Sequence, residues 1–277
     1  MTLYANYLRY AWNSLKKHIF SVICLALFTG ALEYVWIIQD YSISSFESPG
    51  FLDCLIYLFS GSRPMIHSEN LLFSIPYPWL CMQVLILYAI YPVMKKNLDK
   101  QGEQILIRSK NKRLYYVSKL TAGTGIIFLC YGIVCSVLLI CSLVFSHSVN
   151  MHPDTLIRLL DISIKNFSNI NLFLSIAILP VLTSVCLSWV QMILSIRFPV
   201  VISTLIIFAY DCLSVYIPSY LFIANYGMLW RVKQTITDAS ITGFSGIDQT
   251  TAFCIELLLC IAVFQIGEHM MKKYDVI

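Results

Sequence analysis

The chain has 277 residues, of which 58% are hydrophobic and 12% charged, with a mean hydropathy of +0.74 and a formal net charge of +4. Soluble domains carry about 25% charged residues, so a water-exposed globule of this composition would leave much apolar surface uncovered. The composition predicts a polytopic membrane protein, and within it the position of the basic residues says more than their sum.

In chain order, residues 1–18 contain Arg9, Lys16 and Lys17 and lead into the apolar run Ile19–Ile38. At about 20 residues that run exceeds the roughly 7–15 of a signal-peptide core, so it is expected to remain as the first span. Five more runs have spanning length: Trp79–Met94 (extended back towards Pro76), Leu120–Phe145, Ile170–Ser195, Phe198–Ile217 and Thr250–Gly267. The fourth and fifth are divided only by Ser195 to Pro199, where Arg197 and the helix-opening Pro199 predict a tight turn. The fold class expected is all-α, with six transmembrane helices in a single domain over 1–277.

Lys and Arg fix the orientation. Alternate sides of the six runs hold fourteen and five of the 19. The richer side contains both termini, which are therefore expected in the cytosol. On the poorer side, the apolar stretch Phe51–Ser60 is too short to cross and suits an interfacial or re-entrant helix. Residues 218–249, with Tyr220, Phe222, Tyr226 and Trp230 beside Arg231 and Lys233, read as an outer interfacial segment.

Nine of the ten cysteines lie in apolar runs, Cys54 falls in a loop, and no CxxC pair exists, so they read as small packing residues. No nucleotide-binding GxxxxGK[ST], no HExxH and no GxSxG occurs. No catalytic residue, metal ligand or cofactor of its own is expected, and no nucleic-acid partner. Three acids fall inside the apolar runs: Glu33, Asp211 and Glu256. A carboxylate at a helix centre costs roughly 2.5 kcal/mol or more, so these are candidates for a translocation path, set against simple interhelical contacts. Gly123, Gly125, Gly132 and Ser136 predict close helix packing within the subunit or across a dimer. Pro180 predicts a kink.

The most distinctive feature is Lys95–Lys119, KKNLDKQGEQILIRSKNKRLYYVSK, which holds eight of the 19 basic residues between two spans. Positive-inside bias accounts for the charge. It does not account for Gly102, the apolar-centred run Glu103–Ile107 or the paired Tyr115 and Tyr116, which suit a short helix lying in a partner's groove.

The stretch from Pro76 to Leu120, with PYPWL at 76–80, Gln83, Tyr91–Pro92 and then GEQILIRSKNKRLYYVSKL, resembles the small six-helix permease subunits of type-2 ABC transporters in Gram-positive bacteria. That family shows a Gly-Gln-Gln-aliphatic run, Arg-Ser, basic residues, two aromatics and Ser-Lys. Gly102, Gln104, Arg108, Ser109, Lys112, Arg113, Tyr115, Tyr116, Ser118 and Lys119 match, whereas Glu103 stands where Gln is usual and the tyrosines where Trp is common. The resemblance implies a coupling helix over residues 100–113 in the cytosolic loop 95–119. Gly102, Glu103, Gln104, Ile105, Ile107, Arg108, Ser109, Lys112, Arg113 and Tyr115 would dock a separate ATPase subunit that carries ATP and Mg. It also implies an amphipathic interfacial helix over 1–18, and Tyr4, Leu8, Ala11, Trp12 and Leu15 do share one helical stripe. A second permease subunit, identical or different, membrane lipids and a bacterial cell membrane complete the implied setting. The implied activity is export of a hydrophobic or amphipathic substrate, such as an antimicrobial peptide. The alternatives are a secondary transporter driven by protons through Asp211 or Glu256, and a non-transporting membrane immunity protein.

Overall fold

The computed structural model describes residues 2–44, 48–63, 75–95, 111–160, 167–235 and 244–273. Regular structure among them is helical, apart from one isolated bridge between Val232 and Ile247. Five helices are long and apolar enough to cross a membrane, and a sixth apolar helix, Val200–Tyr216, has 17 residues. The chain is thus an all-helical, multi-pass membrane protein.

Helix α1 runs unbroken from Thr2 to Ser44, 43 residues. At 1.5 Å per residue it is about 65 Å long, twice a hydrocarbon core of about 30 Å, so several turns project beyond any span. The sequence suggests a boundary near residue 18, but no break occurs there. Arg9 and Lys16 sit on the exposed side while Tyr7, Ala11, Leu15, Val22 and Ala26 continue one buried stripe. Of the predicted stripe, Ala11 and Leu15 are buried and Trp12 is exposed.

That stripe packs along α4, Lys112–Ser146, which begins two turns earlier than the apolar run because Asn111 caps it, accepting from the Leu114 N–H at 3.1 Å. Tyr7 meets Tyr115 edge to face at 5.8 Å, and Tyr34 stacks on Phe145. Gly30 lets the two helices close, since a Cβ there would stand 2.9 Å from Val137 Cβ. On α4 itself Gly123 is approached by Met192, whereas Gly125 and Gly132 face open space, so of the three only Gly123 packs closely within the subunit.

Helix α2, Phe51–Leu58, is short and lies beside α4, with Cys54 buried inside it rather than in a loop. Helix α3, Tyr77–Lys95, packs on α1 and α4; α5, Pro153–Leu160, touches α1. Helix α6, Asn169–Arg197, contains a π turn at Leu174–Ile178 just before Pro180. Proline has no N–H to offer the Ile176 carbonyl, so the ladder loses a rung there and widens. Helix α7, Val200–Tyr216, folds back on α6 through the Arg197–Pro199 turn, and α8, Gln249–Lys273, packs against α6 and α4.

Candidate functional site

Two regions concentrate polar chemistry. At the end of the bundle where α3 stops and α4 starts, the basic segment enters the helices. Residues 102–109, which include Gly102, Glu103, Gln104, Ile105, Ile107, Arg108 and Ser109, lie outside the described residues. Their neighbours are placed. Arg113 Nε stands 3.4 Å from Glu268 Oε2, and Lys272 Nζ 2.7 Å from Glu268 Oε1. The Lys112 ammonium donates to the Lys272 carbonyl at 3.3 Å. Glu268 thus holds the first turn of α4 to the last turns of α8.

Tyr115 is buried at 3% exposure against Tyr7, with the Lys119 ammonium 4.9 Å over its ring. Lys119 is itself buried and donates to the Val93 carbonyl at 3.3 Å, tying α4 to the end of α3. Tyr116 fills the space left by Gly267, where a Cβ would lie 1.9 Å from its hydroxyl oxygen. A cavity of about 10 Å³ between Tyr115, Tyr116, Lys119, Met192, Ile196 and Met271 admits at most a water. Both tyrosines of the motif therefore face the bundle interior.

The second region is the bundle's polar interior. Tyr131 on α4 donates to the Pro180 carbonyl at 2.9 Å and lies 2.8 Å from Ser184 Oγ, which donates to the Pro180 carbonyl and reaches Gln83 Oε1 on α3 at 3.4 Å. The carbonyl of a proline beside a widened turn is thus supplied with hydroxyl donors from two helices. Next to Ser184, Thr183 donates to the carboxyl of Glu256 on α8. Glu256 is 0% exposed, and its second oxygen has no hydrogen-bond partner among the described residues. Cys186 and Cys260, one turn beyond Thr183 and Glu256, meet thiol to thiol.

The other two intramembrane acids are placed elsewhere. Glu33 on α1 is fully buried, within electrostatic reach of Tyr57 and Cys81. Asp211 is buried on the face of α7 that carries Ser203, Ile207 and Ser214. Neither carboxylate oxygen of Glu33 nor Oδ1 of Asp211 has a hydrogen-bond partner among the described residues. Glu33, Asp211 and Glu256 do not converge on one point, and among the described residues no three His, Cys, Asp or Glu side chains are grouped to hold a metal ion.

The far end of the bundle is closed by polar contacts that no local pattern signals. Asp53, fully buried at the start of α2, accepts from the Gly50 N–H at 3.0 Å and the His152 N–H at 2.9 Å, and lies 2.7 Å from His152 Nδ1. Arg231, in the stretch read from sequence as an outer interfacial segment, is 0% exposed. Its Nη2 donates to the Val215 carbonyl at 2.8 Å and to Ser62 Oγ at 2.9 Å, filling the carbonyl end of α7. Burial lowers this guanidinium to about 10, so it stays charged at neutral pH. Burial also pushes the Cys54 thiol up to about 12, which keeps it protonated and unreactive. Leu229 and Trp230 donate their N–H groups to Phe59 and Ser60 at 2.8 and 2.9 Å, so the segment 223–231 is bonded to the residues that follow α2.

No family model, curated protein or solved structure matches this chain.

Proposed function

We propose that this chain is the permease subunit of an ABC transporter in a bacterial cell membrane, with six spans, both termini cytosolic and an interfacial N-terminal stretch. It works with a second permease subunit and with ATPase subunits that carry ATP and Mg, and it exports a hydrophobic or amphipathic substrate such as an antimicrobial peptide. The reading is carried by the Lys95–Lys119 segment: an apolar-centred run, Glu103–Ile107, in a basic frame whose last residues, Lys112–Lys119, form the start of α4.

The contacts at the exit of that segment suit transmission of force. Arg113 and Lys112 engage the end of α8, Tyr115 packs on α1, and Lys119 bonds the end of α3. A push on the segment would reach three helices through one helix start. Ion pairs open to water, such as Arg113–Glu268, contribute little to stability, so the pair guides this movement more than it resists it.

The test replaces Ile105, Ile107 and Arg108 by Glu, leaving Lys112 and Arg113 with their contacts intact. The tagged chain is purified from its native membrane with and without the substitutions. A subunit bearing a nucleotide-binding GxxxxGK[ST] motif is expected to co-purify, with Mg-ATP hydrolysis, from the unaltered chain and to be lost from the variant at equal membrane levels. Equal recovery of that subunit and its activity from the variant would sink the docking assignment.

A further inference from the structure

We propose that Glu256 is a proton-binding site inside the bundle, with Thr183 as the residue that positions its carboxyl. This does not rest on the ATPase-coupled reading, and it is tested on the isolated chain.

The argument begins with what surrounds the carboxyl. Helix α8 packs against α6, α4 and the turn Ile223–Gly227. The titratable groups facing Glu256 are Cys186 from α6, Tyr131 from α4, Tyr226 from the turn and Cys260 on α8 itself. None of these groups can carry a positive charge, and no Lys, Arg or His among the described residues is paired with Glu256. A fully buried carboxylate with no cation beside it carries the cost of an unpaired charge in a low-dielectric interior, and taking up a proton removes it.

Metal ions fit poorly. A hard cation needs about six oxygen ligands, whereas the hydroxyls of Tyr131, Ser184 and Tyr226 already donate to main-chain carbonyls, and the other titratable neighbours are the thiols of Cys186 and Cys260. Thr183 donates to one carboxyl oxygen and leaves the other without a partner among the described residues, so one oxygen is held and one is open to a proton. The turn Ile223–Gly227 roofs the pair. A Cβ on Gly227 would stand 3.3 Å from Thr183 Oγ1 and 3.4 Å from Pro180 Cα, so this segment lies in direct contact with the residue that holds the carboxyl.

Infrared difference spectroscopy tests the site with the full chain in lipid nanodiscs. The spectrum of the unaltered chain minus that of Glu256→Gln, which keeps an acceptor for Thr183, is expected to contain a protonated-carboxyl carbonyl band at neutral pH that vanishes as pH rises. Thr183→Val removes a donor that favours the ionised form and is expected to move that midpoint upward by about one pH unit. An unmoved midpoint overturns the part given to Thr183. A difference spectrum with only ionised-carboxylate bands at neutral pH overturns the site. Should Glu256→Gln fail to fold, labelling of the unaltered chain by an apolar carbodiimide, which adds to protonated carboxyls, gives the same reading. Label mapped to Glu256 and declining as pH rises is expected, and absence of label on Glu256 from acid to neutral pH refutes the proposal.

Discussion

Gly50 and Gly125 show how differently one residue type can matter within a chain. Gly50 precedes α2 with φ of −76°, a conformation open to any residue, so its backbone angles do not require glycine. Space does. A Cβ there would stand 1.9 Å from the Asn150 carbonyl oxygen, a main-chain atom that cannot rotate away. Moving it would also disturb the Gly50 N–H to Asp53 bond and the Phe51 and Leu52 N–H bonds to Ser148 and Val149. Gly125, mid-helix in α4, would place a Cβ in open space. Gly50→Ala is therefore expected to destabilise by about 1–3 kcal/mol, the usual cost of overpacking. Gly125→Ala should be neutral or gain up to about 1 kcal/mol from helix propensity. Thermal unfolding in one detergent decides between them, and equal melting temperatures for the two variants would contradict the packing at Gly50.

At the scale of the element, α8 is anchored at its start by Asp248. One carboxylate oxygen accepts from both the Thr251 N–H and the Thr251 hydroxyl at 3.0 Å. The Thr251 N–H, then the hydroxyl and the nearby Lys233 charge, hold this carboxyl below the usual carboxylate range. A carboxyl depressed in the folded state adds stability that is fully present above its unfolded value, near 3.9, and fades as pH falls through its folded value. Lowering the pH from 6 towards 3 (about the range in which Asp titrates) should cost the unaltered chain more stability than Asp248→Asn. Asparagine still caps but does not titrate. The two are expected to match closely at neutral pH, since Asp and Asn cap a helix about equally well. Parallel melting curves over the whole range would remove the ionic part of the cap.

Element starts and stops also mark where sequence reasoning succeeded and where it ran short. Apolar length found the long helices because desolvation of the backbone leaves few other ways to satisfy a 20-residue apolar run. It misplaced the start of α4, because Lys112 and Arg113 look like loop until Glu268, 155 residues later, is seen to receive Arg113. It set a boundary near residue 18, although charges such as Arg9 and Lys16 on an exposed face do not stop a helix. Glu256 was visible as a buried acid in an apolar run. Thr183 was not, since nothing in an apolar stretch distinguishes a hydroxyl that faces a carboxyl from one that bonds its own backbone. Asp53 and His152 were equally hidden, being 99 residues apart in the chain.

For the whole molecule, orientation is the property from which the proposed role hangs, and the distribution of basic residues sets it. An ATPase can dock on Lys95–Lys119 only if that segment is cytosolic. Fourteen of the 19 basic residues fall on that side of the six runs. Because α3 and α4 are adjacent in the chain and packed together, the segment joining them shares a side with the end of α8, where Glu268 receives Arg113. A reporter after Ile277 and one inserted after Gln101 must therefore report the same compartment, whichever it is, while one after Asn150 must report the other. Fluorescent-protein fusions at the first two positions are expected to glow, and alkaline phosphatase there to stay inactive, with the reverse after Asn150. If all three reversed together, the bundle would stand as described and the docking role of the basic segment would fall. If positions 101 and 277 disagreed, the helix count between them would be wrong, and Val200–Tyr216, at 17 residues the shortest of the six long apolar helices, would be the one that does not cross.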